Sequence, residues 1–156
     1  MKIIPLTLAS LICVQLFACN KNETVQLVNI VNPNNPSDTT NKKMKITIGT
    51  NIFTATFNNN ATATAFKAQL PMTINMTDLN ANEKFFDLPI ALPTNASNPG
   101  IIQNGDLLMY GSNTLVLFYK TFSTSYSYTP LGHIDNPAGL AAALGTKNVM
   151  VKFELE

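Results

Sequence analysis

Residues 104–137 read NGDLLMYGSNTLVLFYKTFSTSYSYTPLGHIDNP, and this stretch decides the fold class. Expected strands at 107–110 and 114–122 flank the turn sequence Gly-Ser-Asn, a pattern that predicts a β-hairpin. In the second of these strands, residues 115–119 (LVLFY) are apolar at every position, so we expect burial on both faces. A further strand is expected at 126–134, interrupted by a proline and a glycine.

Alternating apolar and polar residues on both sides of this stretch predict additional strands. These strands are expected at 44–48, 52–57, 72–77, 85–88 and 149–155. Residues 89–104 are rich in proline and asparagine, so they are expected to form a long loop.

Two short helices are predicted from their capping residues. Residues 61–70 follow Asn60, a good N-cap, and a proline stops the helix. The second helix is expected to open at Asn136-Pro137, with Asp135 or Asn136 as its cap and the proline in its first turn, and to end at Gly145. Together these elements predict a mainly β protein, a closed barrel of roughly eight strands with two short capping helices.

The N-terminal residues have the pattern of a secretory signal. Lys2 precedes an apolar run over residues 3–17, and the small residue Ala18 stands just before Cys19. The cysteine after Leu-Phe-Ala resembles the lipobox of bacterial lipoproteins, which implies that Cys19 becomes the first residue and carries lipid. The alternatives are an ordinary cleaved signal peptide, which does not need the cysteine, or a membrane span, which takes roughly 20 apolar residues.

These features divide the chain into three parts. Residues 1–18 are the expected signal peptide, and residues 19–43 are the lipidated cysteine with a tether rich in Asn, Pro, Thr and Ser. Residues 44–156 are the expected folded domain. We therefore expect a lipoprotein of the bacterial cell envelope that is anchored to the membrane through Cys19 and faces the periplasm or the exterior.

The charge composition argues against nucleic acid as a partner. All ten basic residues are lysines, nine residues are acidic, and charged residues make up 12% of the chain. Binding to the phosphate backbone depends on clustered Lys and Arg, which a nearly neutral chain without arginine does not supply.

No group of residues has the pattern of a catalytic or metal site. His133 is the only histidine, so a metal site with three or four ligands is not expected, and no cofactor is predicted. Ser123, Ser125 and Ser127 alternate along a predicted strand, but only His133 could activate a serine nucleophile. Asp106 is assigned to turn chemistry, as Asp135 is to capping, so we predict no catalytic residue.

Aromatic residues give the strongest functional signal. Five of them fall within residues 118–128, and another lies across the hairpin turn. A tyrosine often lies at a rim because it combines an apolar ring with a polar tip, and methionine adapts to irregular neighbours. Tyr110, Tyr119, Tyr126 and Met76 are therefore the candidate ligand-binding residues, in a groove beside the 89–104 loop. The alternative is that they belong to the barrel core.

The chain resembles the small bacterial cyclophilin-like domains over residues 44–156. The likeness rests on KITI at 45–48, NATATAFKAQLP at 60–71, PMTINMTDLN at 71–80, and residues 104–137 with the short helix after them. This resemblance implies an eight-stranded barrel capped by two helices, and it implies no particular reaction.

True cyclophilins are prolyl isomerases, and the resemblance implies that this activity needs an arginine that reaches the prolyl amide. The chain has no arginine, and a lysine cannot present the same planar group of donors. We therefore expect a non-catalytic module that binds a peptide, a small molecule or an envelope protein. The alternative is a peptidyl-prolyl cis-trans isomerase-like enzyme.

Overall fold

The computed structural model describes residues 42–156, which contain ten strands and two helices. The predicted signal peptide, Cys19 and nearly all of the predicted tether lie outside the described residues. In chain order the elements are β1 (Lys43–Ile48), β2 (Asn51–Phe57), α1 (Ala61–Lys67), β3 (Met72–Leu79), β4 (Glu83–Asp87), β5 (Ile101–Ile102), β6 (Asp106–Tyr110), β7 (Thr114–Phe118), β8 (Phe122–Ser123), β9 (Thr129–Ile134), α2 (Leu140–Leu144) and β10 (Val149–Leu155). None of the helices in this part of the chain is long and apolar enough to cross a membrane.

Eight of the strands close into an antiparallel barrel in the order β1-β10-β3-β4-β7-β6-β9-β2. The two short strands β5 and β8 pair with each other outside this barrel. The predicted fold class, a mainly β protein with a closed eight-stranded barrel and two helices, is confirmed.

The barrel interior is filled by the apolar residues that alternate along each strand. Ile46 of β1 lies opposite Phe153 of β10, and both side chains are completely buried. The intervening residues of these strands, such as Lys45 and Lys152, carry their charges outside. This period of two places one face of every strand in a single apolar core, which supplies most of the driving force for folding.

A second apolar cluster lies outside the barrel and explains why residues 115–118 of β7 are all apolar. Leu115 and Leu117 belong to the interior core, whereas Val116 and Phe118 point the other way and are also buried. The outer cluster comprises Ile102, Leu108, Val116, Phe118 and Tyr128, with Phe85 and Phe122 packed against it. The expected burial of this strand on both faces is therefore confirmed.

The chain between β7 and β9 builds the cover of this outer cluster. We call residues 119–128 the outer segment. It replaces the predicted continuation of one strand to residue 122 and the early start of the next at residue 126. It is tied to the 89–104 loop because Tyr128 and Ser97 exchange both backbone hydrogen bonds, at 2.9 and 3.0 Å. The loop itself contains β5, which the sequence did not predict.

The helix α1 has the predicted cap but ends earlier than expected. The Asn60 side chain accepts a hydrogen bond from the Ala63 amide at 2.8 Å and donates one to the Pro130 carbonyl at 2.7 Å. The prediction that the helix reaches residue 70 was wrong. The helix ends at Lys67, because the last amides before the proline turn back over three residues rather than four.

The start of the second helix and the role of Asp135 were also predicted wrongly. The helix begins at Leu140, with Gly139 at the N-cap in a left-handed conformation (φ 82°). Asn136 instead accepts a hydrogen bond from the Ala138 amide at 3.1 Å in the turn before the helix. The Asp135 carboxylate binds Lys43 and the Thr56 hydroxyl, each at 2.6 Å, because a tertiary partner was available to it.

Candidate ligand-binding groove

A groove with a volume of about 560 Å³ lies on the outer face of the barrel beside the outer segment. This volume falls in the range of small-molecule and cofactor sites. Strands β4, β6 and β7 form one wall, and the outer segment forms the other. The lining residues are Leu79, Asn80, Asn82, Glu83, Phe85, Asp87, Tyr110, Thr114, Val116, Phe122, Ser123, Thr124, Ser125, Tyr126 and Tyr128.

Strand β4 supplies the charged part of the wall through the alternation of its side chains. Glu83, Phe85 and Asp87 line the groove, whereas Lys84 between them is completely buried. Lys84 lies opposite Leu117 of β7, whose side chain belongs to the interior core. The sequence EKFFD thus sends two carboxylates outward and one lysine inward.

Three tyrosines form the aromatic part of the groove. Tyr110 and Tyr126 are 47% and 61% exposed, and their rings meet edge to face with centroids 6.1 Å apart. Tyr110 also contacts the ring of Tyr128 at 5.7 Å. Tyr128 is buried beneath them, and burial together with the nearby Glu83 charge raises the pKa of its hydroxyl. The exposed rings leave aromatic faces available to a ligand.

The two carboxylates of the groove differ in their partners. Asp87 accepts a hydrogen bond from the Thr114 hydroxyl at 2.6 Å. Within residues 42–156, the Glu83 carboxylate has neither a hydrogen-bond donor nor an ion-pair partner. Partial burial, followed by the neighbouring Asp78 charge, raises the pKa of Glu83. Among residues 42–156 no lysine lines the groove, so the charge of its described lining is negative.

Of the four ligand-binding residues predicted from sequence, the structure brings two together in the groove. Tyr110 and Tyr126 line it, but Tyr119 and Met76 do not. Met76 is completely buried in the barrel interior, as is usual for a methionine on a half-buried strand. Tyr119 is also almost fully buried, with its ring in the interior core.

The polar tip of Tyr119 takes part in a buried network inside the barrel. Its hydroxyl donates a hydrogen bond to Asp78 at 2.6 Å, and the Lys84 ammonium lies at 2.6 Å from the same carboxylate oxygen. Lys84 also donates to the Lys147 carbonyl at 2.7 Å. These bonds from Lys84 and Tyr119 lower the pKa of Asp78, whereas burial and the bond to Asp78 raise that of Tyr119.

Sequence reasoning missed the charged residues of the groove and its buried tyrosine. Glu83, Asp87 and Tyr128 are lining residues that had not been singled out. The alternation along residues 83–87 carried a usable signal, since it places both acids on the face opposite the buried lysine. The sequence of the outer segment gave no such signal, because its position depends on tertiary contacts outside the barrel.

The only histidine lies outside the groove lining. His133 of β9 is hydrogen-bonded to Asp106 of β6 through Nδ1 at 2.9 Å. Asp106 also accepts a hydrogen bond from the Gln103 amide at 2.7 Å, as expected for a turn residue. Ser123 and Ser125 line the groove without this histidine. In residues 42–156 no group of three or more His, Cys, Asp or Glu residues could hold a metal ion.

Comparison with known families agrees with this architecture. The model of the cyclophilin-like family matches residues 46–154, from the first barrel strand to the last. The chain belongs to the cyclophilin-like family. No curated protein and no solved structure matches it significantly. The cyclophilin-like domain therefore carries its groove on the outside of a barrel whose interior is closed by side chains.

Proposed function

We propose that the protein is a non-catalytic binding module of the bacterial cell envelope, which holds a peptide or small ligand in the outer groove. The observation that carries this proposal is the open aromatic wall formed by Tyr110 and Tyr126. Exposed aromatic rings beside a concave surface give a ligand apolar contact area together with hydrogen-bonding tips. The rigid barrel strands and the hydrogen-bonded outer segment hold these rings in place before a ligand arrives.

Family membership favours prolyl isomerisation as the alternative function. Catalysis of that reaction requires stronger stabilisation of the twisted amide than of the planar ground state. The chain has no arginine to supply this donor, and the acidic residues that line the groove, Glu83 and Asp87, are carboxylates. Carboxylates accept hydrogen bonds when ionised, so they do not replace a cationic donor. These features support binding without turnover.

A prolyl peptide assay with the full-length protein tests the proposal. We expect measurable peptide binding without acceleration of cis-trans exchange, and we expect Tyr126→Ala to weaken binding by about tenfold. Ile52→Ala is the matched control, because Ile52 is 65% exposed on β2 and does not line the groove. Isomerase activity that Tyr126→Ala abolishes would contradict the proposal and favour the enzyme.

Anchoring through lipid on Cys19 is the second part of the proposal, supported by the lipobox-like sequence Leu-Phe-Ala-Cys. Several acyl chains would make such an anchor stable, whereas one chain binds a bilayer only marginally. Replacement of Cys19 by Ala should move the protein out of the membrane fraction or leave it as a precursor. An intact mass that shows a mature chain without lipid would contradict anchoring.

A further inference from the structure

We propose that the natural ligand is a peptide segment that places a lysine or arginine side chain in this groove, where Tyr110, Tyr126 and the Glu83 carboxylate are lining residues. This inference rests on the proposed binding function and specifies the chemistry of its ligand. It follows from the combination of an aromatic wall, a carboxylate without a partner and a lining that, within the described part of the chain, contains no basic residue.

Charge complementarity is the first argument. Glu83 and Asp87 are the ionisable carboxylates of the lining, and neither is paired with a lysine within residues 42–156. The nearest lysine along the strand, Lys84, is turned into the barrel, where Asp78 neutralises it. The groove therefore keeps a net negative charge, which attracts cations and repels anions.

The aromatic rings also favour a cationic ligand. The face of a tyrosine ring is electron-rich, and a cation within about 6 Å of its centre is attracted to it, more strongly where water is excluded. Tyr110 and Tyr126 stand edge to face at 6.1 Å, so their faces point in different directions around one corner of the groove. A basic side chain can use such a corner with its apolar stem as well as its charge.

A cationic ligand would also supply hydrogen bonds to the Glu83 carboxylate. The Glu83 carboxylate lines the groove, is partly desolvated, and has no hydrogen-bond donor within residues 42–156. An ammonium or guanidinium group would supply the missing hydrogen bonds in the desolvated site. The surrounding hydroxyl and amide groups of Asn80, Ser123 and Ser125 suit the alternating donors and acceptors of a peptide backbone, which favours a peptide over an isolated amine.

The test compares two short labelled peptides that differ at one central residue, lysine in one and norleucine in the other. Fluorescence anisotropy with the full-length protein measures both affinities. We expect the lysine peptide to bind about tenfold more tightly, with a preference that falls as salt concentration rises. Glu83→Gln should abolish the preference. Glu154→Gln should preserve it, because Glu154 lies on β10, is paired with Lys45 and Lys152, and does not line the groove.

Each outcome bears on a different claim. Equal affinities for the two peptides, or a preference that survives Glu83→Gln, would overturn the inference while the binding module stands. Failure of the lysine, norleucine and prolyl peptides alike to bind would overturn the proposed function as well. Tight binding of free butylammonium, equal to that of the lysine peptide, would refute the peptide assignment. Circular dichroism of Glu83→Gln confirms that the variant is folded.

Discussion

Glu83 and Lys84 are neighbours in the sequence, and the barrel places them in opposite environments. Lys84 points into the interior, is completely buried, and has two acceptors within 2.7 Å. Glu83 points into the outer groove and has no partner for its carboxylate within the described residues. One charge is enclosed and hydrogen-bonded, whereas the other is partly desolvated and has no protein donor within the described residues.

This difference distinguishes a charge that belongs to the folded core from a charge that is available to a ligand. A buried ion is tolerated only when neighbouring groups replace the hydrogen bonds that it made with water. The network of Lys84, Asp78 and Tyr119 meets that requirement. Glu83 is partly buried and has no such partner within residues 42–156, and a charge left without a protein partner in an otherwise consistent fold is expected at a functional site. The contrast supports the groove as the functional surface.

The largest effect is expected from removing the enclosed charge. Lys84→Met keeps the apolar stem but leaves Asp78 without its ammonium partner, so we expect the free energy of unfolding to fall by about 2–3 kcal/mol. This value is at the low end for a buried pair because the Asp78 side chain is 19% exposed. Urea denaturation measures it.

A second substitution checks the cause of that loss. Adding Asp78→Asn to Lys84→Met removes the unpaired carboxylate, so part of the lost stability should return. A double variant less stable than Lys84→Met alone would show that packing of the lysine stem, rather than its charge, is what the barrel interior requires.

An intermediate effect is expected from Tyr119→Phe, which deletes the hydroxyl that donates to Asp78. A hydrogen bond to a charged group contributes about 1.5 kcal/mol or more, so we expect a loss of about that size at pH 7. Tyr126→Phe is the control, because its ring is exposed and outside the network. An equal loss in both variants would contradict the assigned role of Tyr119.

The same substitution has a pH dependence with a definite sign. Lys84 and Tyr119 lower the pKa of Asp78 below its usual value of 3.8. The stability gained from this lowering is complete above that value and is lost as the pH falls through the lower pKa of the folded state. The difference between wild type and Tyr119→Phe should therefore be constant near neutral pH and shrink in acid.

The barrel could be predicted because its strands follow local rules, and the groove could be predicted only in part. The alternation in β1 and β10 and the hairpin at Gly111 are visible in the sequence and agree with the structure. The apolar run of β7 indicated a second buried face but not what covers it. The outer segment depends on contacts between residues distant in sequence, which no local pattern encodes.

The tyrosines show that the sequence does not reveal tertiary contacts of single residues either. Tyr110, Tyr119 and Tyr126 had equal standing as ligand-binding candidates, yet the structure places Tyr119 inside the barrel. What distinguishes it is Asp78, a partner forty-one residues away that accepts a hydrogen bond from its hydroxyl. Residue type alone therefore predicts that a tyrosine tip needs a partner, but not whether that partner is buried or exposed.

The smallest expected effect, and the one of opposite sign, comes from Glu83→Gln. Burial and the Asp78 charge raise the Glu83 pKa above its usual value of 4.5, so the folded state disfavours the ionised form. The resulting penalty is present above the raised pKa and absent below 4.5. We therefore expect Glu83→Gln to stabilise the protein by about 0.5 kcal/mol at pH 7, and this gain should vanish in acid.

Asp87→Asn provides the control for this measurement, because Asp87 lines the same groove but accepts a hydrogen bond from Thr114. Asp87→Asn removes a charge-assisted hydrogen bond, so it should not raise the free energy of unfolding. Glu83→Gln removes a carboxylate without a partner, so it should raise that free energy by removing the cost of desolvating the charge. Glu83→Gln is expected to make the protein more stable and to remove its preference for a basic peptide. Both results together would show that Glu83 lowers stability while it contributes to ligand recognition. A destabilised Glu83→Gln would instead mean that the carboxylate has a structural partner, and the contrast with Lys84 would disappear.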